Sequence, residues 1–472
     1  MGVADAQQPP AAPDKIALGD WMLSPSLELR VRGEYRRDPS DLGGRDFFGR
    51  TTPRVRDSWM VMERSRLGLG VERGAVRAQL TLQDARALGA PSASGRVDDR
   101  GVGTFGPYEA FLEAHGTGAR PHYLRLGRQA VVWGEGRLLG NADFSPSGRS
   151  LDAARGHLAF GDFDVEALAA MLEVPSPLGN AFRDTAGPHV SGVQLFGVNV
   201  RLALDPLLRI EAYGLARISR SRGADLDGSR FAVSRLSGER YTAALRISGD
   251  ARGWSYGAEG AYQLGSTSTV ALGGADIAAW AAAGHVQKTV EQLPLTPTFR
   301  LMGSYASGDN ARGAYKQFDP ILPDPQRFHG QMDLFSWSNM IDVGGRVQVV
   351  PWVEGTVSVE YRYARLADAR GEWIGSYMSA IGSAFVPPVI ATTPPAAPVS
   401  NGSELGHELG ITTSWRPWAP LELRAGWTGL LLGDGAKGIL RAHARGKTEA
   451  SGAFAPADVA HYAYLQATVS MP

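Results

Sequence analysis

The stretch LELRVRGEY, residues 27–35, puts Leu27, Leu29, Val31, Gly33 and Tyr35 on one side of an extended chain and Glu28, Arg30, Arg32 and Glu34 on the other. The same two-residue period returns along the sequence. Val76, Ala78, Leu80 and Leu82 alternate with Arg77, Gln79, Thr81 and Gln83. Tyr108, Ala110, Leu112 and Ala114 alternate with Glu109, Phe111, Glu113 and His115. Trp254, Tyr256, Ala258, Gly260 and Tyr262 share one side of a further segment, and Val357, Val359, Tyr361 and Tyr363 oppose Thr356, Ser358, Glu360, Arg362 and Ala364. Segments 411–417, 421–429 and 461–471 keep the period less strictly. Alternation held over about eight to eleven residues marks a strand with one apolar face. That length crosses a bilayer when the strand is tilted. Helix-period segments with caps are hard to find.

Such segments number about eighteen, which suits the even strand counts of outer-membrane barrels. Short, turn-like connections such as ERGA (72–75), SGDARG (248–253) and VPW (350–352) contrast with long ones at 86–107, 174–190, 219–238, 308–330, 366–405 and 433–460. The expected fold is all-β: one transmembrane antiparallel barrel over 21–472, with short periplasmic turns and long extracellular loops, after a flexible start at 1–20. Pro320, Pro323 and Pro325 keep 308–330 out of a ladder, so that loop should be extracellular or folded into the mouth. The AFVPPVIATTPPAAP run within 366–405 should be disordered or lid-like. A soluble sandwich would divide 472 residues into domains of roughly 100–200 residues, and no linker does so. The longest apolar run, VALGGADIAAWAAAGHV at 270–286, is broken by Asp276 and falls short of the roughly 20 residues of a spanning helix. The opening MGVADAQQPPAAP lacks the pattern of a signal peptide and reads as the start of a mature exported chain. In a barrel the apolar side meets lipid and the charged side meets the lumen. Arg30 and Arg32 then point into a pore.

Charge and composition narrow the function. Lys plus Arg and Asp plus Glu are both 48, so the basic excess of a nucleic-acid binder is missing. Lysine occurs only at Lys15, Lys288, Lys316, Lys437 and Lys447; every other basic residue is arginine, whose planar fork suits carboxylates. Cysteine is absent, which excludes disulfides and thiolate metal sites.

Three longer stretches carry a resemblance. LRLGRQAVVWGEGRLLGNADFSPSGRSLDAARG (124–156), FDPILPDPQRFHGQMDLFSWSNMID (318–342) and GHELGITTSWRPWAPLELRAGWTGLLLGD (406–434) resemble the alginate export family of outer-membrane porins, in order along the chain. The resemblance implies an eighteen-stranded barrel whose arginine-lined constriction passively conducts an anionic, alginate-like polyuronate out of the cell. A diffusion porin for small anionic or other small solutes is the alternative.

Moving one carboxylate per sugar through a low-dielectric channel needs fixed positive charge in place of lost hydration. By alternation the lumen candidates are Arg30, Arg32, Arg64, Arg66, Arg77, Arg125, Arg300, Arg346 and Arg362. By resemblance Arg128 in LGRQ, Arg137 in GRLLG, and Arg149 and Arg155 in GRSLDAAR join them. Arg125 and Arg128 cannot share a face of one regular strand; Arg128 is favoured if the strand ends or bulges near Gly127, with Arg125 an equal candidate. Each arginine could instead brace the wall against Glu28, Glu34, Glu63, Glu109 or Glu113. Trp59, Trp352, Trp415, Trp418, Trp427, Tyr361 and Tyr363 fit an interfacial girdle, whereas Trp133 in WGEG does not.

The nine His residues form no H-x-x-x-H cluster, and the carboxylates offer no paired glycosidase set, so neither an enzyme nor a cofactor is expected. Asp98–Asp99, GDG at 433–435 and SGDN at 307–310 read as solvated loops. Expected partners are an acidic polysaccharide, outer-membrane lipid and lipopolysaccharide, and periplasmic polysaccharide-export proteins, with the barrel a monomer.

Overall fold

The structure, a computed structural model, describes residues 15–37, 58–88, 104–116, 122–173, 193–219, 237–268, 275–309, 313–375, 380–383, 402–445 and 458–471. Its strands are β1 (Ile16–Leu18), β2 (Trp21–Arg37), β3 (Ser58–Arg73), β4 (Val76–Leu88), β5 (Thr104–His115), β6 (Tyr123–Gln129), β7 (Leu151–Phe160), β8 (Phe163–Glu173), β9 (Val193–Asp205), β10 (Leu208–Ser219), β11 (Ser237–Ala251) and β12 (Trp254–Ser268). They continue with β13 (Ala275–Thr289), β14 (Thr298–Ala306), β15 (Met340–Trp352), β16 (Gly355–Arg365), β17 (Glu372–Ile374), β18 (Ala380–Ser383), β19 (Glu404–Trp418), β20 (Leu421–Leu432) and β21 (Val459–Met471). One helix, α1, spans Asp434–Arg445.

All strands except β1, β17 and β18 form a closed barrel of 18, each antiparallel to its neighbours. The seam closes where β2 meets β21, from Leu27 opposite Met471 to Arg37 opposite His461. Below that seam β1 folds back on β2, with Ile16 opposite Leu23. It continues the wall where β21 has ended, so a short N-terminal strand covers an edge that would otherwise be open. The tight turns all lie at one end of the barrel. Between Ala251 and Trp254 the turn residues Arg252 and Gly253 both have positive φ (47° and 77°). That is the primed hairpin geometry whose twist matches its flanking strands.

The outward face is apolar, with Leu29, Val31, Leu67, Leu69, Leu112, Leu126, Leu245 and Leu301 all exposed. Trp59, Trp352, Trp415 and Trp418 are exposed near strand ends, as a girdle requires, whereas Trp427 and Tyr361 are exposed nearer the middle of their strands. Among the described residues no helix is long and apolar enough to cross a membrane.

Several local expectations shift. Tyr108 is turned inward rather than outward, because the β4–β5 register slips between Thr81 and Leu82 and adds a residue to β5. VPW is the end of β15, and the turn is Val353–Glu354, with Glu354 at φ 55°. The expected loop 86–107 is shorter, since β4 runs to Leu88 and β5 begins at Thr104. Segment 433–460 contains α1, whose Ala436, Ile439 and Leu440 are buried beside Leu405, Leu430 and Leu432 at the barrel mouth. Gly435 and Gly438 weaken its intrinsic helicity, so packing makes this helix. Within 366–405 a small β17–β18 hairpin forms and Trp373 is buried. Asp98–Asp99, loop 174–190, most of 219–238, and the Pro-rich run lie outside the described residues.

Candidate functional site

β6 has only seven residues. After Gln129 the chain leaves the wall and enters the lumen, returning at Leu151. We call residues 130–150 the strap. A second inward segment, described over 307–309 and 313–339, joins it, so the described part of segment 308–330 is folded into the barrel. Trp133 pairs with Leu139 across a tight turn, and Leu139 bridges in parallel to Leu322 of the second segment. Gly134 and Gly136 supply the turn's positive φ (60° and 87°). A Cβ at Gly140 would stand 2.8 Å from Asp324 Cβ and 2.9 Å from the Gly136 carbonyl, so glycine is needed where the two segments touch.

The lumen is not uniformly polar. The inward faces of β7 to β14 present Leu168, Leu195, Leu215, Ala261, Ala279 and Ala281, against which Trp133, Leu138, Leu139, Phe318, Ile321 and Trp337 pack. Apolar burial of this kind, worth about 25 cal/mol per Å², holds two loops where water would otherwise stand. Trp133 donates its Nε1–H to the Glu166 carboxylate, which explains why it belongs to no girdle.

The opposite side of the strap meets arginine. Arg30 donates from Nη1 to the Asp143 carbonyl and from Nη2 to the Ser145 carbonyl, both at 2.7 Å. Arg32 donates to the Phe144 carbonyl at 2.7 Å and its guanidinium lies 4.0 Å from the Phe144 ring centroid. Arg64 reaches both oxygens of Asp143, at 2.9 and 3.2 Å, and also Glu28 at 2.5 Å. Arg66 holds Asp143 Oδ1 at 3.0 Å and stacks on Tyr108. Arg30 and Arg64 are directly opposite across β2 and β3, an arrangement of like charges that needs the carboxylate between them. Burial pushes the Asp143 carboxyl up, but Arg64, Arg66 and Arg30 overrule it and hold the group well below the usual carboxylate range.

A second clasp sits eight residues earlier on the strap, at Glu135. Its carboxylate lies 3.2 Å from Arg246, 3.5 Å from Arg137 and 3.7 Å from His285. Burial raises this carboxyl, but Arg137, His285 and Arg246 bring it down to about 2. The strap therefore spans the lumen between two cationic anchors. In the second segment Asp319 is gripped by Arg217 at 2.6 Å and Arg240 at 3.6 Å. Arg149 ties the two segments together by donating to the carbonyls of Gly140 and Pro323. Arg137 lies 3.9 Å over the Phe328 ring. Asp324, beside Arg327 and Arg149, is raised by burial to about 6.

Four of the other sequence candidates fall on the inner wall in acid–base pairs. Arg125 meets Glu113 at 2.6 Å, Arg155 meets Glu166 at 2.8 Å, Arg346 meets Glu360 at 2.6 Å, and Arg362 lies between Asp342 and Glu360. Arg77 donates to Gln79 at 3.1 Å. Arg300 faces Arg346 directly across β14 and β15. Arg128 requires a correction. Gly127 has φ 123°, yet the register with β5 and β7 does not slip. Arg125 accordingly points in, and Arg128 points out with Asp152, to which it is bonded at 3.0 Å.

Asp143, Glu135, Asp319, Arg217, Arg240, Arg246 and Glu166 were not among the sequence candidates. Alternation in LRIEAYGLARIS (208–219) would have put Glu211 and Arg217 on the lumen side. Asp143 carries no comparable local signal, because its partners lie 77 to 113 residues away.

A family model described as alginate export matches residues 22–435. No curated protein sequence matches the chain. Among solved structures, OccK8 (OprE) of Pseudomonas aeruginosa aligns with TM-score 0.53 at 9% identity, over 95% of this chain and 98% of that one. OccK1 (OpdK) of the same organism aligns with TM-score 0.52 at 12% identity, over 95% and 98%. At such identity these likenesses show the fold alone. The family match spans nearly the whole barrel, and the chain belongs to the alginate export family of outer-membrane β-barrel channels.

Proposed function

We propose that this outer-membrane channel passively conducts an anionic polysaccharide of the polyuronate class along its arginine wall. The observation that carries the reading is the seat of Asp143. Four arginines on two adjacent strands converge on one short stretch of the strap, and three of them lie within 4 Å of its carboxylate. A group of this kind is a carboxylate receptor inside a pore, and Asp143 stands where a uronate carboxylate of the cargo would bind. Arginine stays charged at every relevant pH and takes carboxylates in its fork. The acid–base pairs around the rest of the wall keep each contact weak in net terms, and a conduit needs easy exit as well as entry. The reading supplies no enzyme chemistry; synthesis or a gradient drives transport.

One observation favours a second reading, diffusion of small anionic solutes. Arg30, Arg32 and Arg64 are all under 7% exposed while the strap is docked, so a polymer must displace Asp143 whereas a small solute has only to pass beside it.

Current block in planar bilayers separates the two. Under the polymer reading, uronate oligomers block reversibly, with affinity rising as the oligomer lengthens and falling at high salt, where attraction is screened over about 10 Å at 0.1 M. Neutral oligomers of equal length leave the current unchanged. Block that does not depend on length moves the small-solute porin to first place.

A further inference from the structure

The outer wall carries a pair of charges that the pore does not use. Arg128 and Asp152 face out of the barrel, with side chains 38% and 54% exposed. Asp152 stands eight residues above Phe160, which is exposed at the periplasmic end of β7. At about 3.3 Å per residue and a strand tilt near 40°, that is a height of roughly 20 Å in an apolar band about 25 Å tall. The pair therefore sits in the outer-leaflet half of the wall. An arginine on the lipid face costs about 2–4 kcal/mol at the midplane and about 0–1 kcal/mol near the interface, so at this height the guanidinium is tolerated within reach of the headgroup layer.

Two further observations point to a ligand. Arg128 uses only Nη1 toward Asp152, and its Nε is covered without an acceptor among the described residues. An open groove of about 380 Å³ lies on the same face, lined by Leu69, Ala78, Leu80, Ala110, Leu112 and Leu126. Ala110 is the register partner of Arg128 and Leu126 lies two residues before it on the same face, so the groove lies next to the backbone of Arg128, while the guanidinium leans onto Asp152 of β7; from there the groove runs down toward Val71, near the periplasmic end of β3. Among the described residues the wall is cut low above the pair. β6 ends at Gln129 and β7 begins at Leu151, while β5 continues upward to Thr104.

We infer that this face binds a phosphorylated lipid of the outer leaflet, with one acyl chain in the Ala78–Ala110 groove and a phosphate on Arg128. The direction fits: a lipid with its headgroup toward the extracellular side points its chain down the groove. The low wall above Gln129 lets the headgroup descend to the guanidinium, and arginine offers its fork to phosphate as it does to carboxylate. Asp152 holds the guanidinium in place when no phosphate is present. The inference rests on the barrel and its orientation, and is independent of what the pore carries.

The test is lipid retention by the full chain in detergent, read by native mass spectrometry after exchange from nanodiscs. The probes are bisphosphorylated lipid A and the same acylated glycolipid without phosphate. The closed-barrel fold of each variant is checked by heat-modifiable migration. The wild type should retain one lipid A, at least tenfold more tightly than the dephosphorylated form. Arg128→Gln should remove that preference, Ala110→Leu should weaken both probes by filling the groove, and Asp152→Asn should strengthen lipid A retention by freeing the arginine. Equal retention by the wild type and Arg128→Gln overturns the proposal. So does release of bound lipid A by millimolar inorganic phosphate alone, which would mean that the groove adds nothing. A wild type that assembles into oligomers dissolved by Ala110→Leu overturns it as well, since the groove would then be an interface between copies. If Ala110→Leu fails to fold, the opposite shifts expected of Arg128→Gln and Asp152→Asn still decide the matter.

Discussion

Replacing Asp143 by Asn changes almost nothing in shape and removes one charge from the centre of the arginine seat. In the native chain that carboxylate accepts from Arg64 at 2.9 and 3.2 Å and from Arg66 at 3.0 Å, with Arg30 at 3.9 Å. Breaking a buried ion pair from one side costs about 3–5 kcal/mol, because the remaining charge is left uncompensated. Asn keeps one acceptor oxygen, so we take about 2–3 kcal/mol for this variant. At 1.4 kcal/mol per factor of ten, the strap should lose its docked position on this side about 30- to 150-fold more often. The strap does not leave altogether, since Arg30 and Arg32 still hold the carbonyls of Asp143, Phe144 and Ser145. The assay is single-channel recording. Asp143→Asn should show larger and noisier conductance, and uronate oligomers should block it at about tenfold lower concentration because the arginines have lost their internal counter-charge. If conductance and block both match the wild type while the melting temperature falls, the arginines brace the wall and the reasoning fails.

Three other substitutions probe the same assembly. Asp324 has its folded-state pKa raised to about 6, so it stabilises docking fully below its unfolded value, near 3.9, and that contribution is lost as pH rises through 6. The wild type should therefore melt at a higher temperature at pH 5 than at pH 7, and Asp324→Asn should flatten that difference; a wild-type profile already flat would contradict the buried placement of this carboxyl. Gly140→Ala should separate the two inward segments at a cost of about 1–3 kcal/mol, seen as raised conductance from a barrel that still migrates as folded. Trp133→Phe keeps most of the packing but leaves Glu166 without its indole donor, and should lower stability by about 1.5–3 kcal/mol, measured by denaturant titration.

The wall was legible in the sequence because alternation is local. Leu27 to Tyr35 declares two faces by itself, and the bilayer forces the apolar one outward. The exceptions have local causes that alternation cannot register: the extra residue that turns Tyr108 inward, and the mouth packing that makes α1 a helix despite two glycines. The interior was legible only in part. Arg30, Arg32, Arg64 and Arg66 could be read as inward from parity. That they meet on Asp143 could not, since the strap's path depends on contacts more than 70 residues away in the chain. Arg128 shows the limit of carrying a motif across: its neighbourhood matched the family, but its side of the strand is fixed by a register that Gly127 bends without breaking.

The central claim, an arginine wall that favours polyanions, is tested most directly by the reversal potential of the wild-type pore under a salt gradient. The account predicts anion preference despite the chain's zero net charge, reduced toward neutrality when Arg30, Arg64 and Arg66 are replaced together by Ala. A cation-preferring wild-type pore would contradict it.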